Sequence, residues 1–428
     1  MARSASREPE KSPATRRLTV RIETIGSGGD GVARFDGDIL YTPLTAPGDL
    51  AVIDATGDRG RLIELAERSP LRTAPPCRHF GQCGGCALQH VTREEELRWK
   101  HQLVATALTR AGVETEVCAV IAAPAASRRR ATFAIKRAGK TLLLGFNERR
   151  STRITNLEVC VVLAPELAAQ LEALRSVAAL IPSLEFDLAV THCDNGLDLN
   201  AIDRRLTARA VTETPGLAAA MRAAGAVRLS VNGETALALA EPTVTFDGVT
   251  VSPPPGAFLQ ASREGEAALL GVVRAAVGDA RKIADLFSGC GTFALPLARE
   301  SSVFAVDSDS LAVEALKRAA AGAQRAGLQI NPVRAETRDL FERPLSAKEL
   351  KGFDAVIFDP PRAGAAAQAA EIAKCGARII VGVSCNPATF ARDASLLVAG
   401  GYRLIEVTPV DQFVYSPHVE LVGVFAKR

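Results

Sequence analysis

One segment constrains the fold of this chain more than any other: residues 283–297, IADLFSGCGTFALPL. A short apolar run that ends at glycines and continues into a helix-like stretch predicts a β-strand, a tight loop and a helix. Gly289 and Gly291 would let the backbone turn sharply and approach a ligand closely, with the amino end of the helix directed at that ligand. The segment therefore predicts a site for a nucleotide-like cofactor in an α/β fold.

The glycine spacing alone does not identify the cofactor. Gly289, Gly291 and Ala294 also satisfy the dinucleotide fingerprint, so a nicotinamide cofactor and S-adenosyl-L-methionine both remain open at this point. Asp285 before the turn, and the polar sequences 359–362 (DPPR) and 384–387 (SCNP) after later apolar runs, favour methyl transfer over hydride transfer.

The C-terminal part of the chain alternates apolar runs with helical stretches. Strands are predicted at residues 283–286, 303–306, 330–333, 355–358, 379–383, 404–407 and 421–426. This alternation predicts a doubly wound sheet. Asp307 follows the second run about twenty residues after the glycine loop, where an acid accepts hydrogen bonds from ribose hydroxyls. An exposed loop acid is the alternative, but a position between strand and helix favours cofactor binding.

A chain of 428 residues is long enough for two or three domains. We predict a disordered tail (1–15), a small β-barrel (16–69), a mixed α+β central domain (70–255) and the cofactor-binding domain (256–428). The hairpin signal at 247–248 (DG) and the PPPG sequence at 253–256 place the last boundary. No apolar run reaches the roughly 18 residues that span a bilayer, and residues 1–17 lack the apolar core of a signal peptide, so a cytoplasmic location is predicted.

The formal charge of +3 is unevenly distributed. Residues 1–160 contain 25 Lys and Arg against 18 Asp and Glu, whereas the remainder contains 26 against 30. Nine basic residues and one acid lie between Ser127 and Ile154. Clustered charge of this kind favours a nucleic-acid partner over an ordinary solvated surface. Arg128 and Arg130 are the predicted phosphate contacts.

Three cysteines lie within ten residues, in the sequence CRHFGQCGGC. Disulfides are not expected in a cytosolic chain, so Cys77, Cys83 and Cys86 predict a metal site, for which Cys160 is the candidate fourth ligand. The spacing departs from the paired C-x2-C of zinc ribbons and favours an iron–sulfur cluster over zinc, with fortuitous free thiols as a third possibility.

Cys385 follows the fifth predicted strand, at the sheet edge where open α/β sheets bind ligands. A buried structural cysteine is the alternative to a nucleophile. Asn386 and Pro387 predict a helix start, whose amino end is expected to lower the pKa of the thiol. Enzymes that methylate exocyclic amines place an aromatic residue after the double proline, whereas this chain has Arg362. Amine methylation is therefore disfavoured.

These features together resemble the bacterial RNA 5-methyluridine methyltransferases, specifically the ribosomal-RNA branch with an iron–sulfur cluster. The similarity covers nearly the whole chain after the tail. It rests on the barrel, whose sequence GGDGVA (28–33) resembles the start of an RNA-binding TRAM domain, on the four cysteines, and on the motifs 258–260 (FLQ), 285–289 (DLFSG), 359–364 (DPPRAG), 384–389 (SCNPAT) and 418–420 (HVE).

The resemblance implies a class I methyltransferase domain, S-adenosyl-L-methionine as methyl donor and a 4Fe-4S cluster. It implies Cys385 as nucleophile, Glu420 as general base, Phe258 as a stacking partner of the flipped base, and the cofactor contacts Gln260, Phe287, Thr292, Asp307 and Asp359. Two positions depart from the family pattern, because Thr292 stands where Asn is common and Asp307 where Glu is common. Cytosine-C5 enzymes usually place a second cysteine where this chain has Arg362.

The predicted function is S-adenosylmethionine-dependent methylation of uridine C5 in ribosomal RNA by a monomer, without a membrane partner. The transfer-RNA branch of the family lacks the barrel and the cluster, and this favours ribosomal RNA as the substrate of this chain. Transfer RNA is the nearest alternative substrate. A non-catalytic RNA-binding iron–sulfur protein is the alternative from a different class.

Overall fold

A computed structural model describes residues 14–139 and 141–427. Most of the predicted tail (residues 1–13) and Lys140 of the basic segment lie outside the described residues. The chain divides into two compact units, the first made of Met1–Gly81, Cys86–Glu96 and Tyr415–Pro417, and the second of Gln82–Gly85, Leu97–Val414 and His418–Arg428. Among the described residues, no helix combines the length and the apolar character that crossing a membrane requires.

The first unit contains a six-stranded sheet with the order β1-β5-β6-β4-β3-β2. Its strands are β1 (Arg16–Arg21), β2 (Thr24–Ile25), β3 (Gly31–Phe35), β4 (Asp38–Thr42), β5 (Leu50–Thr56) and β6 (Arg59–Glu67). Alternate side chains of β5 are buried, which is the period of a strand with one face on a core. That core contains Leu40 and Ile53. The segment predicted as a barrel is therefore β-rich.

Residues 97–110 of helix α1 (Arg93–Arg110) belong to the second unit, which also contains a seven-stranded sheet in the order β11-β10-β9-β12-β13-β14-β15. The strands are β9 (Arg130–Ala138), β10 (Thr141–Asn147), β11 (Ile154–Asn156), β12 (Glu185–Cys193), β13 (Gly196–Ile202), β14 (Ala226–Val231) and β15 (Glu234–Ala238); two short strands precede them, β7 (Glu116–Val117) and β8 (Ile121–Ala122).

Four short helices pack with this sheet: α2 (Pro165–Ala168), α3 (Leu171–Leu180), α4 (Ala208–Thr212) and α5 (Leu217–Ala223). The apolar residues Leu167, Leu171, Leu174 and Ala178 keep helical spacing, but the chain leaves the helix between Ala168 and Leu171. Leu167, Leu171 and Leu174 are nonetheless buried in one core, which explains the apolar spacing. A hairpin follows, β16 (Val244–Phe246) and β17 (Val249–Val251), with Asp247 and Gly248 at positive φ as an Asp-Gly turn requires.

A nine-stranded sheet completes the second unit, with the order β20-β19-β18-β21-β22-β24-β23-β7 and β8 paired to β23. Its strands are β18 (Lys282–Leu286), β19 (Ser302–Asp307), β20 (Val333–Thr337), β21 (Ala355–Phe358), β22 (Ile379–Ser384), β23 (Tyr402–Asp411) and β24 (Glu420–Lys427). The helices are α6 (Arg263–Val277), α7 (Ala294–Leu297), α8 (Ser310–Arg325), α9 (Ala366–Cys375) and α10 (Pro387–Ala399).

Strands β18 to β22 run parallel, and only β24 is antiparallel to its neighbours β22 and β23. The predicted doubly wound α/β fold is therefore confirmed. One strand was misplaced: the sequence predicts residues 330–333, whereas β20 covers Val333–Thr337. The helix expected after the glycine loop, α7, is only four residues long and contains Pro296.

Candidate active site

The register of the nine-stranded sheet brings the predicted site residues to one edge. Leu286 pairs with Val306 and with Phe358, so the next residues along the chain, Phe287, Asp307 and Asp359, all lie at the carboxyl ends of these strands. Ser384 pairs with Leu421 across an antiparallel ladder, which places Cys385 and Glu420 side by side at the same edge. Carboxyl edges of this kind form the ligand sites of open α/β sheets.

Cys385 lies between the end of β22 and the start of α10, in a turn held by its neighbours. The Ser384 hydroxyl accepts the Asn386 amide at 3.1 Å, and the Asn386 side chain caps α10 by accepting the Ala388 amide at 3.1 Å. The helix start is where the sequence predicts it. The expected low thiol pKa is wrong, however, because burial and then the nearby Glu420 carboxyl raise the pKa of Cys385 to about 11.

The carboxyl groups beside Cys385 also have raised pKa values. Burial, followed by the charge of Asp359, raises the pKa of Glu420 to about 8. Burial raises the pKa of Asp359 to about 7, against a hydrogen bond that its Oδ2 accepts from Gln260 Nε2 at 3.3 Å. Both carboxyls therefore exchange protons near neutral pH, which is the range in which a general base works best.

The glycine loop lies next to this pair. The Gly289 amide donates to Asp307 Oδ2 at 2.8 Å, which joins the loop to the end of β19. Gly291 has φ +102°, and a Cβ there would lie 2.8 Å from Leu295 Cγ, so only glycine fits. Phe287 adopts φ 62°, rare for a bulky residue, and its ring packs on Phe341 at 5.6 Å.

Buried polar atoms in the glycine loop fit a cationic nucleoside cofactor. Within the described residues, both carboxylate oxygens of Asp285 and the Ser288 hydroxyl are buried without a hydrogen-bond partner. Burial and then the charge of Asp359 hold the pKa of Asp285 well above its usual range. A cofactor with an ammonium group and a sulfonium group supplies positive charge to such carboxyls, and polar groups this deeply buried need a partner. Thr292 is half-buried in the same loop.

A cleft of about 380 Å³ opens over Cys385 and Glu420. A second wall comes from the start of β9 and from the chain before α6, and it is lined by Arg128, Arg130 and Phe258. Phe258 is 65% exposed, and the Arg130 guanidinium lies over its ring at 5.0 Å. Burial and then the charge of Arg129 lower the pKa of Arg130 to about 10. A guanidinium so placed stays charged at neutral pH, and an anion would stabilise it.

Arg129, between the two predicted phosphate contacts, is directed inward instead. Its side chain is buried, with Nε donating to the Gln260 carbonyl at 3.1 Å and Nη2 paired with Glu266. The basic segment therefore has two environments. Arg128 and Arg130 line the cleft, whereas Arg129 joins the seven-stranded sheet to the segment that carries Gln260.

His418, of the motif 418–420, lies at the cleft and contacts Arg362. Arg362 Nη2 and His418 Nδ1 are 3.0 Å apart. Burial and then the guanidinium charge of Arg362 lower the pKa of His418 to about 4, so the imidazole is neutral at pH 7 and its Nδ1 accepts from Arg362. Arg362 also opposes the rise in the pKa of the Cys385 thiol.

The four cysteines predicted to bind a cluster all lie within the described residues. No group of three or more His, Cys, Asp or Glu side chains within the described ranges is arranged to hold a metal ion. The chemistry of the individual residues fits thiolate ligation, because all four are half-buried cysteines and Cys83 Sγ accepts the Gly85 amide at 3.4 Å. Cys83 and Cys160 also pack against the same core, that of the seven-stranded sheet.

Sequence reasoning missed two residues that shape the cleft. Gln412 is buried behind Glu420, and Phe413 lines the cleft with the Arg128 guanidinium 5.8 Å from its ring centre. A signal was present, since both follow directly on the apolar strand β23. The rule that singled out Cys385, a functional side chain just beyond the end of a strand, would have found them.

Comparison with known proteins identifies the family. The sequence profile described as tRNA (Uracil-5-)-methyltransferase matches residues 254–428. An RNA methyltransferase of Rhizobium meliloti is 46% identical, covering 96% of this chain and 99% of that protein. The 23S rRNA (uracil(1939)-C(5))-methyltransferase RlmD of Pectobacterium atrosepticum is 31% identical, covering 97% of this chain and 95% of that protein.

A solved structure agrees with these matches. The tRNA (uracil-54, C5)-methyltransferase of Pyrococcus abyssi, in complex with S-adenosyl-L-homocysteine, superposes with a TM-score of 0.73 at 25% identity and covers 96% of this chain and all of that one. The predicted class I methyltransferase fold and the predicted family are thereby confirmed. This chain belongs to the family of RNA uracil-C5 methyltransferases.

Proposed function

We propose that this enzyme methylates C5 of a uridine in 23S ribosomal RNA with S-adenosyl-L-methionine, through a covalent adduct at Cys385. The observation that carries the proposal is the adjacency of Cys385 and Glu420 in one cleft that is also lined by basic and aromatic side chains. The similarity to the Pectobacterium enzyme over nearly the full length favours ribosomal RNA. The likeness to the Pyrococcus enzyme keeps transfer RNA as the second candidate.

The first step belongs to Cys385. Carbon C5 of uracil is a weak nucleophile, so the thiolate adds at C6 and converts the ring to an enolate with charge density at C5. Arg362 favours the thiolate, because its positive charge opposes the burial that raises the thiol pKa. The neutral imidazole of His418 holds the Arg362 guanidinium at 3.0 Å. Methylation at C5 then leaves a saturated ring that still carries one proton at that carbon.

The second step belongs to Glu420. The C5 proton must leave before the C6–sulfur bond can break, and the Glu420 carboxylate removes it as general base. With a pKa of about 8, Glu420 is a strong enough base for this step and is still ionised in part at neutral pH. Elimination of Cys385 then releases the methylated base and restores the enzyme.

The cofactor residues we propose surround the glycine loop. Gln260, Phe287, Gly289, Gly291, Thr292, Asp307 and Asp359 would hold S-adenosyl-L-methionine, which supplies the electrophilic methyl group when bound. Asp307 already accepts the Gly289 and Asp309 amides at 2.8 Å each, so its carboxylate is fixed in position, with lone pairs left for ribose hydroxyls. Phe258 would stack on the target base after it leaves the RNA stack.

The test is methyl transfer from labelled cofactor to unmodified 23S ribosomal RNA and to unmodified transfer RNA, followed by mapping of 5-methyluridine. We expect incorporation at one uridine of the ribosomal RNA, and none with Cys385→Ala as a matched control. Incorporation into transfer RNA alone would select the second substrate. A folded, cofactor-binding sample that labels neither RNA would favour a non-catalytic RNA-binding protein.

We further propose a 4Fe-4S cluster held by Cys77, Cys83, Cys86 and Cys160, a TRAM-like RNA-binding role for residues 16–69, and an RNA-binding role for residues 70–255 ahead of a methyltransferase domain at 256–428. The sequence spacing of the cysteines and the N–H···S contact at Cys83 support the cluster. We also propose that the enzyme acts as a monomer.

Anaerobically purified protein should be brown and contain iron and sulfide, and Cys160→Ala should lose both. Cys375→Ala is the matched control, because Cys375 is buried beside Tyr402 in the methyltransferase domain and is not among the proposed ligands. One zinc per chain without iron or sulfide would overturn the cluster proposal.

A further inference from the structure

A buried amide joins the two functional halves of the cleft. Gln412 follows the end of β23 and is 3% exposed. Its Nε2 lies 2.8 Å from Gln260 Oε1, and its Oε1 accepts the Ala261 backbone amide at 3.0 Å. Glu420 is close to Gln412, because Glu420 pairs with Val410 two residues before Gln412. The Gln412 amide lowers the pKa of the Glu420 carboxyl against the effect of burial. One side chain is thus next to both the proposed cofactor contact Gln260 and the proposed general base.

The donor and the acceptor in each of these hydrogen bonds follow from one backbone group, the Ala261 amide. The Ala261 N–H can only donate, so the Gln412 atom that it contacts is the carbonyl oxygen, and the other terminal atom is the NH₂ donor. Gln260 must then accept through Oε1, which leaves its own NH₂ to donate to Asp359 Oδ2 at 3.3 Å. Donors are therefore presented to both carboxyls, Asp359 and Glu420, and each bond favours the ionised form.

Helix α6 has a glycine, Gly265, where it passes the Gln412 side chain. A Cβ at Gly265, in the first turn of α6, would lie 2.5 Å from Gln412 Cβ and 2.7 Å from Gln412 Oε1. Real Cβ contacts are not this short, so any other residue at position 265 would displace the amide. Because glycine is poor in helices, its presence inside α6 is consistent with a need for this space.

We propose that Gln412 is a positioning residue: its buried amide holds Glu420 and Gln260 in fixed relation, so that removal of the C5 proton and binding of the methyl donor depend on the same side chain. The inference rests on the proposed function, in which Glu420 is the base. The other groups that face Glu420 are Asp359 after β21, Arg362 in the following loop and Cys385 after β22. Unlike these three groups, the Gln412 amide does not ionise.

The test uses the full chain, ribosomal RNA and labelled S-adenosyl-L-methionine, and follows formation and decay of the RNA–protein adduct from pH 6 to 9. In Gln412→Met the side-chain length is kept and the donors are lost, so the pKa of Glu420 rises further. We expect the pH profile of adduct decay to move upward by about one unit, which is about tenfold slower decay at pH 7, with a higher KM for the cofactor. Gly265→Ala should move the profile in the same direction.

The matched control is Gln368→Met. Gln368 is buried to a similar degree, and its amide makes two hydrogen bonds to the backbone of Leu345; neither residue lines the cleft. It should lower the melting temperature and leave the pH profile in place. If Gln412 had only a structural role, Gln412→Met would likewise lower the melting temperature and leave the pH profile unchanged.

Unshifted profiles in folded Gln412→Met and Gly265→Ala would overturn the inference, and if Gln412→Met does not fold, Gly265→Ala decides it. Glu420→Gln separates this failure from failure of the proposed function. If Glu420→Gln resolves its adduct at the wild-type rate, Glu420 is not the base and both proposals fail. If Glu420→Gln accumulates adduct while the Gln412 and Gly265 variants behave as wild type, the positioning role alone is wrong.

Discussion

Burial shifts the pKa values of groups on the two walls of the cleft in opposite directions. On the wall formed by the nine-stranded sheet, burial raises the pKa of Asp359 to about 7 and that of Glu420 to about 8. On the wall formed by β9 and the chain before α6, burial lowers the pKa of Arg130 to about 10, which still leaves the guanidinium charged at pH 7. The carboxyls of the first wall can therefore exchange protons with a substrate, whereas Arg130 on the second wall supplies fixed charge. The comparison predicts that changes on the first wall alter chemistry and changes on the second alter binding.

The largest effect should come from Cys385→Ala on the first wall. The variant should bind cofactor and RNA as the wild type does, yet form no covalent adduct, and its methyl transfer should fall by at least about 10⁴-fold, because no other group in the cleft can activate C5. Single-turnover transfer of labelled methyl measures this. Residual transfer within tenfold of the wild type would show that the first wall works without a nucleophile.

Glu420→Gln should stop the reaction later. The variant should add the thiolate and accept the methyl group, then lose the C5 proton about 10²–10⁴-fold more slowly, so a methylated RNA–protein adduct should accumulate. Denaturing electrophoresis with labelled cofactor detects it. The Cys385→Ala, Glu420→Gln double variant is the control and should show no adduct. A labelled band in that control would place the covalent bond elsewhere.

Stability should also depend on pH through the first wall. Folded Asp359 keeps its proton to about pH 7, whereas an unfolded Asp loses it near pH 4, so its contribution to the free energy of unfolding is fully present below pH 4 and is lost as the pH rises to 7. Asp359→Asn removes this contribution. Relative to the wild type, the free energy of unfolding of the variant should increase by on the order of a few kcal/mol between pH 4 and pH 8. Thermal melts across that range test it, and a constant difference would show that Asp359 has an ordinary pKa.

The smallest effect should come from the second wall. Replacing Arg128 and Arg130 with Ala should weaken RNA binding and reduce the slope of log K against log salt by up to about 2, because each phosphate contact contributes about 0.9. Cofactor affinity and the rate of the chemical step should change little. Arg209→Ala is the control, since Arg209 is an exposed arginine paired with Glu213. An unchanged salt slope in the double variant would mean that the second wall does not contact phosphates.

Much of the fold could be predicted because its signals are local. The apolar run before Gly289 and the Asp247–Gly248 hairpin are encoded in a few residues each, and the structure has both where the sequence places them. Prediction was wrong where the local signal is weak. No residue of strand β20 is fully buried, and its sequence, VRAET, carries no apolar run that marks the position of the strand. The break between α2 and α3 leaves the apolar spacing intact, because Leu167 and Leu171 remain in the same core.

The sequence by itself determined which residue types reach the carboxyl edge of the sheet. Strand, loop and helix signals are short-range, and they place Asp307, Asp359 and Cys385 each just beyond a strand. Only the tertiary structure decided the pKa values and the hydrogen-bond partners of those groups. The pKa of Cys385 depends on burial and on a carboxyl 35 residues further along the chain, and the bond between Gln412 and Gln260 joins residues 152 positions apart. Desolvation and hydrogen-bond polarity are set by what surrounds a group in space, and no local pattern encodes those surroundings.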